Sequence, residues 1–120
     1  MLINVTPVAK PRMTRSDKWK KRPIVLKYRN FKDELRPYLK DITRITKTGK
    51  LALIFYLPMP ESWSKKKRAD MANRPCLKKV DIDNLIKAFL DAVCKEDSHI
   101  YEISAIKYWD YTGSIILDEI

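Results

Sequence analysis

Apolar residues fall in two rhythms along this chain. Alternation over Leu2 to Thr6 predicts a short strand that Pro7 ends. Between Ile24 and Lys40, Val25, Tyr28, Phe31, Leu35, Tyr38 and Leu39 recur at close to helical spacing, and Pro37 should bend or end that helix near Arg36. Ile42 to Ile45 reads as a short strand that turns at Thr48-Gly49. Leu51 to Leu57 is apolar at every position, which predicts a central strand, and Pro58-Met59-Pro60 stops it. Ser62 is expected to cap a short basic helix. On a helix over 83–94, Leu85, Ile86, Ala88, Phe89, Leu90, Ala92 and Val93 fill one wide arc. They leave a narrow polar strip of Asp83, Asn84, Lys87 and Asp91. Alternation returns over Ile100 to Trp109, Asp110 to Gly113 makes a turn, and Ser114 to Ile120 is expected to pair back as a closing hairpin strand. Together these elements predict one α+β domain over residues 1–120. Its small mixed or antiparallel sheet should have four or five strands, packed by about two helices.

Charge narrows the partners. There are 25 basic residues against 15 acidic, a net charge of +10, which points first to nucleic acid. Fourteen of the 25 fall within 10–22 and 65–79, so they are concentrated rather than spread for solubility. Lys10, Arg12, Arg15, Lys65, Lys66, Lys67, Arg68, Lys78 and Lys79 are the expected phosphate contacts, with Trp19 available to stack on a base. A solvated loop and a solvated helix face are the plain alternatives. A membrane partner is not expected: the longest apolar run, Leu51 to Met59, cannot span a bilayer, and no basic amphipathic helix of the required kind stands out. The first residues lack the features of a signal peptide, so a cytoplasmic setting is expected. Cys76 and Cys94 form no C-x-x-C pair and His99 stands alone, a pattern of reduced thiols rather than a zinc site.

Within this basic chain, acids gather at Asp81, Asp83, Asp91, Glu96 and Asp97. Asp81 and Asp83, two residues apart at the entry to a helix, can project to one side. Hard cations such as Mg²⁺ accept one or two carboxylates and keep several waters, so such a set suits an ion held against a phosphate. Lys87 follows Asp83 by one helical turn and could meet the same phosphate. Structural roles compete: Asp83 as a helix cap, Asp81 as a turn residue, Lys87 and Asp91 as an i, i+4 pair, Asp97-Ser98 as a turn.

The run Asp81-Ile82-Asp83-Asn84-Leu85-x-Lys87-Ala88-x-x-Asp91-Ala92, then Glu96-Asp97-Ser98-x-Ile100, resembles the RusA-type Holliday-junction resolvases, especially the phage and prophage branch. Lys10-Pro11-Arg12, Leu57-Pro58-Met59-Pro60 and Ser62-Trp63-Ser64-Lys65-Lys66-Lys67 extend the likeness more loosely. The resemblance implies a homodimeric endonuclease that uses Mg²⁺, with Mn²⁺ as a substitute, to nick four-way junction DNA symmetrically. It would serve recombination, repair or the debranching of phage DNA. It also implies Asp81, Asp83 and Asp97 as catalytic metal ligands and Lys87 as a catalytic lysine, with Asn84 and Asp91 in support. The chain departs from the family pattern in a shorter connection from Asp91 to Asp97 and in Val80, where cellular members carry a basic residue. A branch-binding protein that does not cut, or a metal nuclease acting on other branched DNA, would use the same basic segments.

Overall fold

The computed structural model describes residues 1–12 and 22–119. Two residues of the expected DNA-binding arm, Arg15 and Trp19, lie outside the described residues, as does Ile120.

A four-stranded mixed sheet runs in the order β1-β4-β2-β3, with β1 Leu2–Ile3, β2 Lys50–Pro58, β3 Glu102–Asp110 and β4 Ser114–Glu119. β2 is central, as its composition predicts, but its two faces differ. Leu51, Leu53, Phe55 and Leu57 are buried, while Ala52, Ile54 and Tyr56 on the other face are only half-buried. Among the described residues, helices therefore cover one side only. Ile115 and Leu117 of β4 and Ile3 of β1 join the buried side.

Among the described residues three helices pack there, in keeping with the expected helical layer, and a fourth, short one buries no residue. α1 Pro23–Leu35 starts with a proline in its first turn, where no amide is needed, and buries Val25, Tyr28, Phe31 and Leu35. It ends at Leu35, as Pro37 demands, in a 3₁₀ turn over Arg36–Tyr38. The segment expected as a strand at Ile42 to Ile45 is instead part of α2, Leu39–Thr46. The spacing of Leu39, Ile42 and Thr46 is helical, and Pro37 interrupts the helix without preventing its resumption two residues on. Gly49 then turns the chain at φ 79°, where a Cβ would meet the His99 carbonyl at 2.8 Å. α3 Lys65–Met71 is capped by Ser64, whose hydroxyl accepts from the Lys67 amide at 3.2 Å, so the cap lies two residues beyond Ser62. α4 Ile82–Val93 buries Leu85, Ala88, Phe89 and Leu90.

The expected hairpin is also different. β3 lies parallel to β2 on one side, and β4 lies antiparallel to β2 on the other, so β3 and β4 never pair. The link through Tyr111, Thr112 and Gly113 steps across the end of β2, two strand spacings or about 10 Å. Four Cα steps reach about 13 Å, which suffices. Gly113 passes so close to Thr6 that a Cβ would fall 2.4 Å from its hydroxyl.

Candidate functional site

The C-terminal ends of the parallel pair β2 and β3 collect most of the chemistry. β2 leads through Pro58 into the turn before α3, and Trp63 there packs edge-on against Trp109 of β3 at 5.1 Å. The chain after α3 then crosses the end of β3: the Trp109 amide donates to Arg74 at 2.9 Å and the Cys76 amide donates to Lys107 at 3.0 Å. From there it passes Lys78, Lys79 and Val80 into α4.

Asp81 is the N-cap residue of α4, in extended conformation. Its backbone carbonyl accepts from the Asn84 and Leu85 amides, while its carboxylate makes no capping bond. The helix therefore starts without consuming this side chain. Asp83 occupies the first turn, and both carboxylates are exposed. Asp83 is thus not the cap, contrary to the structural alternative. Lys87, one turn on, is exposed on the same face. A negative pair at a helix N-terminus is also favoured by the helix dipole.

Lys107 is the residue that sequence reasoning missed. Its ammonium donates to the carbonyl of Lys78 at 3.0 Å and to that of Val80, fixing the two residues that lead into Asp81. The signal was present: Ile103, Ala105, Lys107 and Trp109 share the helix-facing side of β3, and a lysine interrupts that series.

The N-terminal arm runs along α4. The Lys10 amide donates to the Asn84 carbonyl at 3.2 Å, and the Lys10 ammonium pairs with Asp91. Asp91 therefore partners Lys10 across the chain rather than Lys87 on its own helix. That hydrogen bond holds the Lys10 ammonium above the ordinary lysine range, and burial pushes the neighbouring Tyr28 phenol up. Arg22 reaches back to the Arg12 carbonyl at 2.9 Å, so the arm's two flanks meet beside α1. A cleft lined by Val8, Lys27, Pro58, Lys78 and Val80 adjoins this corner.

The basic residues divide. Lys65, Lys66, Lys78 and Lys79 are exposed, and Lys67 lies over the Trp63 ring at 4.2 Å. Arg68 is half-buried and donates to the Pro60 carbonyl at 3.1 Å.

Asp97 stands elsewhere. α4 has 12 residues, which at 1.5 Å each is about 18 Å, and Asp97 follows its far end. There the Ile100 amide donates to the Asp97 carbonyl at 3.0 Å, the Ser98 amide donates to Glu96 at 3.1 Å, and the His99 ring bonds the Thr46 carbonyl at 3.0 Å. Among the described residues, no three His, Cys, Asp or Glu side chains come together as a metal centre. Asp81 and Asp83 fit a hydrated hard cation as a pair of free carboxylates; one chain does not add Asp97 to them. Cys76 and Cys94 are unpaired thiols.

A basic α+β domain with free carboxylates at a helix start, ringed by exposed lysines, defines a protein that acts on nucleic-acid phosphates. Comparison with known proteins gives the family: the model of the endodeoxyribonuclease RusA matches residues 3–118, and the chain belongs to that family. It is thus an endodeoxyribonuclease of the Holliday-junction resolvase kind, one of a family of metal-dependent nucleases hydrolysing phosphodiester bonds. No curated protein and no solved structure matches the chain. No helix among the described residues is long and apolar enough to cross a membrane.

Proposed function

We propose that this chain, as a homodimer, resolves four-way DNA junctions by paired symmetric nicks that depend on Mg²⁺. The observation that carries the reading is the Asp81 and Asp83 pair, uncommitted at the start of α4 and flanked by Lys78, Lys79 and Lys87 in a chain whose family match is nearly complete. A bound Mg²⁺ would polarise the scissile phosphate and lower the pKa of an attacking water. Asp81 and Asp83 would hold the ion, with Asp97 as the third acid the resemblance names. Lys87 would neutralise charge on the phosphate, and the new phosphorus–oxygen bond forms as the bond to the departing sugar oxygen breaks. Asn84 and Asp91 would act indirectly, by holding Lys10 and its arm against α4. Lys10, Arg12, Arg15, Lys65 to Lys67, Arg68, Lys78 and Lys79 would supply phosphate contacts that read the shape of the junction rather than its bases. Two sites in a two-fold dimer match a two-fold substrate.

The test is a synthetic mobile four-way junction incubated with and without Mg²⁺, beside the variant Asp83→Asn. Wild type should give symmetric nicks only with the metal, and the variant should bind without cutting. Equal cutting of linear duplex would remove junction selectivity. Binding without any Mg²⁺-dependent cutting by the wild type would sink the mechanism.

A further inference from the structure

A cleft opens between the N-terminal arm, the start of α1 and the segment that enters α4. Leu57 lies buried at its base, and Val8, Pro58 and Val80 form its walls. Ile24 and Lys27, one helical turn apart on α1, stand exposed at its rim, and Lys78 joins them there. The space measures about 210 Å³, and an apolar cavity of about 150 Å³ is already enough to admit benzene. It has room for one flat ring. We propose that this cleft seats a single nucleobase, unstacked from the DNA beside the phosphate that is cut. The inference deepens the reading of Asp81 and Asp83 as the cutting site, and it rests on that reading.

The cleft is built into the same frame as the acids. Lys107 holds the carbonyls of both Lys78 and Val80, so one wall of the cleft and the approach to Asp81 are a single fixed segment. On the facing wall, the Lys10 amide bonds to the Asn84 carbonyl, which ties the arm that carries Val8 to the first turn of α4. Val80 and Asp81 are neighbours, about 3.8 Å apart at their Cα atoms, and one nucleotide rises about 3.4 Å along its strand. A base in the cleft therefore belongs to a nucleotide flanking the phosphate at Asp81 and Asp83. Charge points the same way. Among the described residues neither Lys27 nor Lys78 is paired with a carboxylate, so two ammoniums at the mouth can take the sugar–phosphate chain as its base turns inward. Aliphatic walls grip a ring by its faces and do not read its edges, so the seat selects an available base rather than a sequence. Taking a base from an intact duplex means breaking its stack and its pair, a cost that is least where bases are already unpaired. A branch point lowers that cost; linear duplex does not. The cleft thus couples cutting to branching.

The experiment reads the base directly. 2-Aminopurine, whose emission rises when it leaves the stack, is placed in turn at each position around the branch of a fixed four-way junction. The protein is added without metal, so nothing is cut. One position flanking the phosphate that is nicked on adding Mg²⁺ should brighten, and positions farther away should not. Ile24→Phe fills the cleft from an exposed position. It should cancel that rise and slow nicking about tenfold, within the range of one lost base contact, with junction affinity unchanged. Leu26→Phe, on the same helix but outside the cleft, should alter neither. A junction in which no 2-aminopurine brightens overturns the proposal. So does an Ile24→Phe protein that keeps the emission of the wild type, whatever its nicking rate. Brightening at one position with no Mg²⁺-dependent nicking by the wild type keeps the base seat and removes the nuclease reading, so the two fail separately.

Discussion

Lys107 shows how a single side chain can act on a site it does not enter. A lysine on the packed side of a sheet is expensive to desolvate unless its donors are used, and here two carbonyls of the Lys78–Val80 segment take them. The return is a fixed approach to Asp81. Replacing it by methionine keeps the chain length and apolar stem but frees that segment. We expect Lys107→Met to lower the turnover of junction cleavage by about tenfold, since small misplacements of a ligand are costly. Junction affinity measured without metal should be unchanged. A parallel loss of affinity would mean that Lys107 serves the DNA surface directly. The Lys10–Asp91 pair is different in kind: both side chains are more than a third exposed, and solvent screening keeps its contribution to stability small.

At the level of elements, α4 is both a core helix and the carrier of the acids. Phe89 is fully buried, and truncation to alanine should cost about 3–5 kcal/mol, a large share of what such a domain possesses. Urea unfolding followed by circular dichroism would measure it, and a loss below about 1 kcal/mol would contradict the packing described. The same helix explains what could be read from sequence. Its wide apolar arc made its existence and its polar strip legible, because period and burial agree there. α2 was misread because four residues rich in β-branching fit either period, and only packing on the sheet decides between them. The β3–β4 turn was misread as a hairpin because a short link between alternating strands normally joins neighbours. Nothing local announces that a third strand lies between them. The distance from Asp83 to Asp97 follows from the length of α4 alone, yet the resemblance presents both acids as one set.

The molecule as a whole is polarised: free carboxylates and exposed lysines share the strand-end face, while Asp97 lies at the opposite face with α2. Binding should therefore fall steeply with salt, by about 0.9 in log affinity per phosphate contact for each log unit of salt. Replacing Lys65 and Lys66 together by alanine should flatten that slope by about two units without changing the cleavage pattern, measured by fluorescence anisotropy across a salt series. An unchanged slope would remove α3 from the DNA surface. The sheet order has a consequence for the birth of the protein. Among the described strands β1 is made first, yet it pairs with β4 alone, and β2 waits for both of its neighbours, which are made after it. During synthesis the first half of the chain thus has no sheet to join. The strand that inserts between β1 and β2 is the last of the four described strands to be made, so the sheet must assemble late and nearly all at once. Its nascent chain should depend on holding chaperones more than one built from successive hairpins.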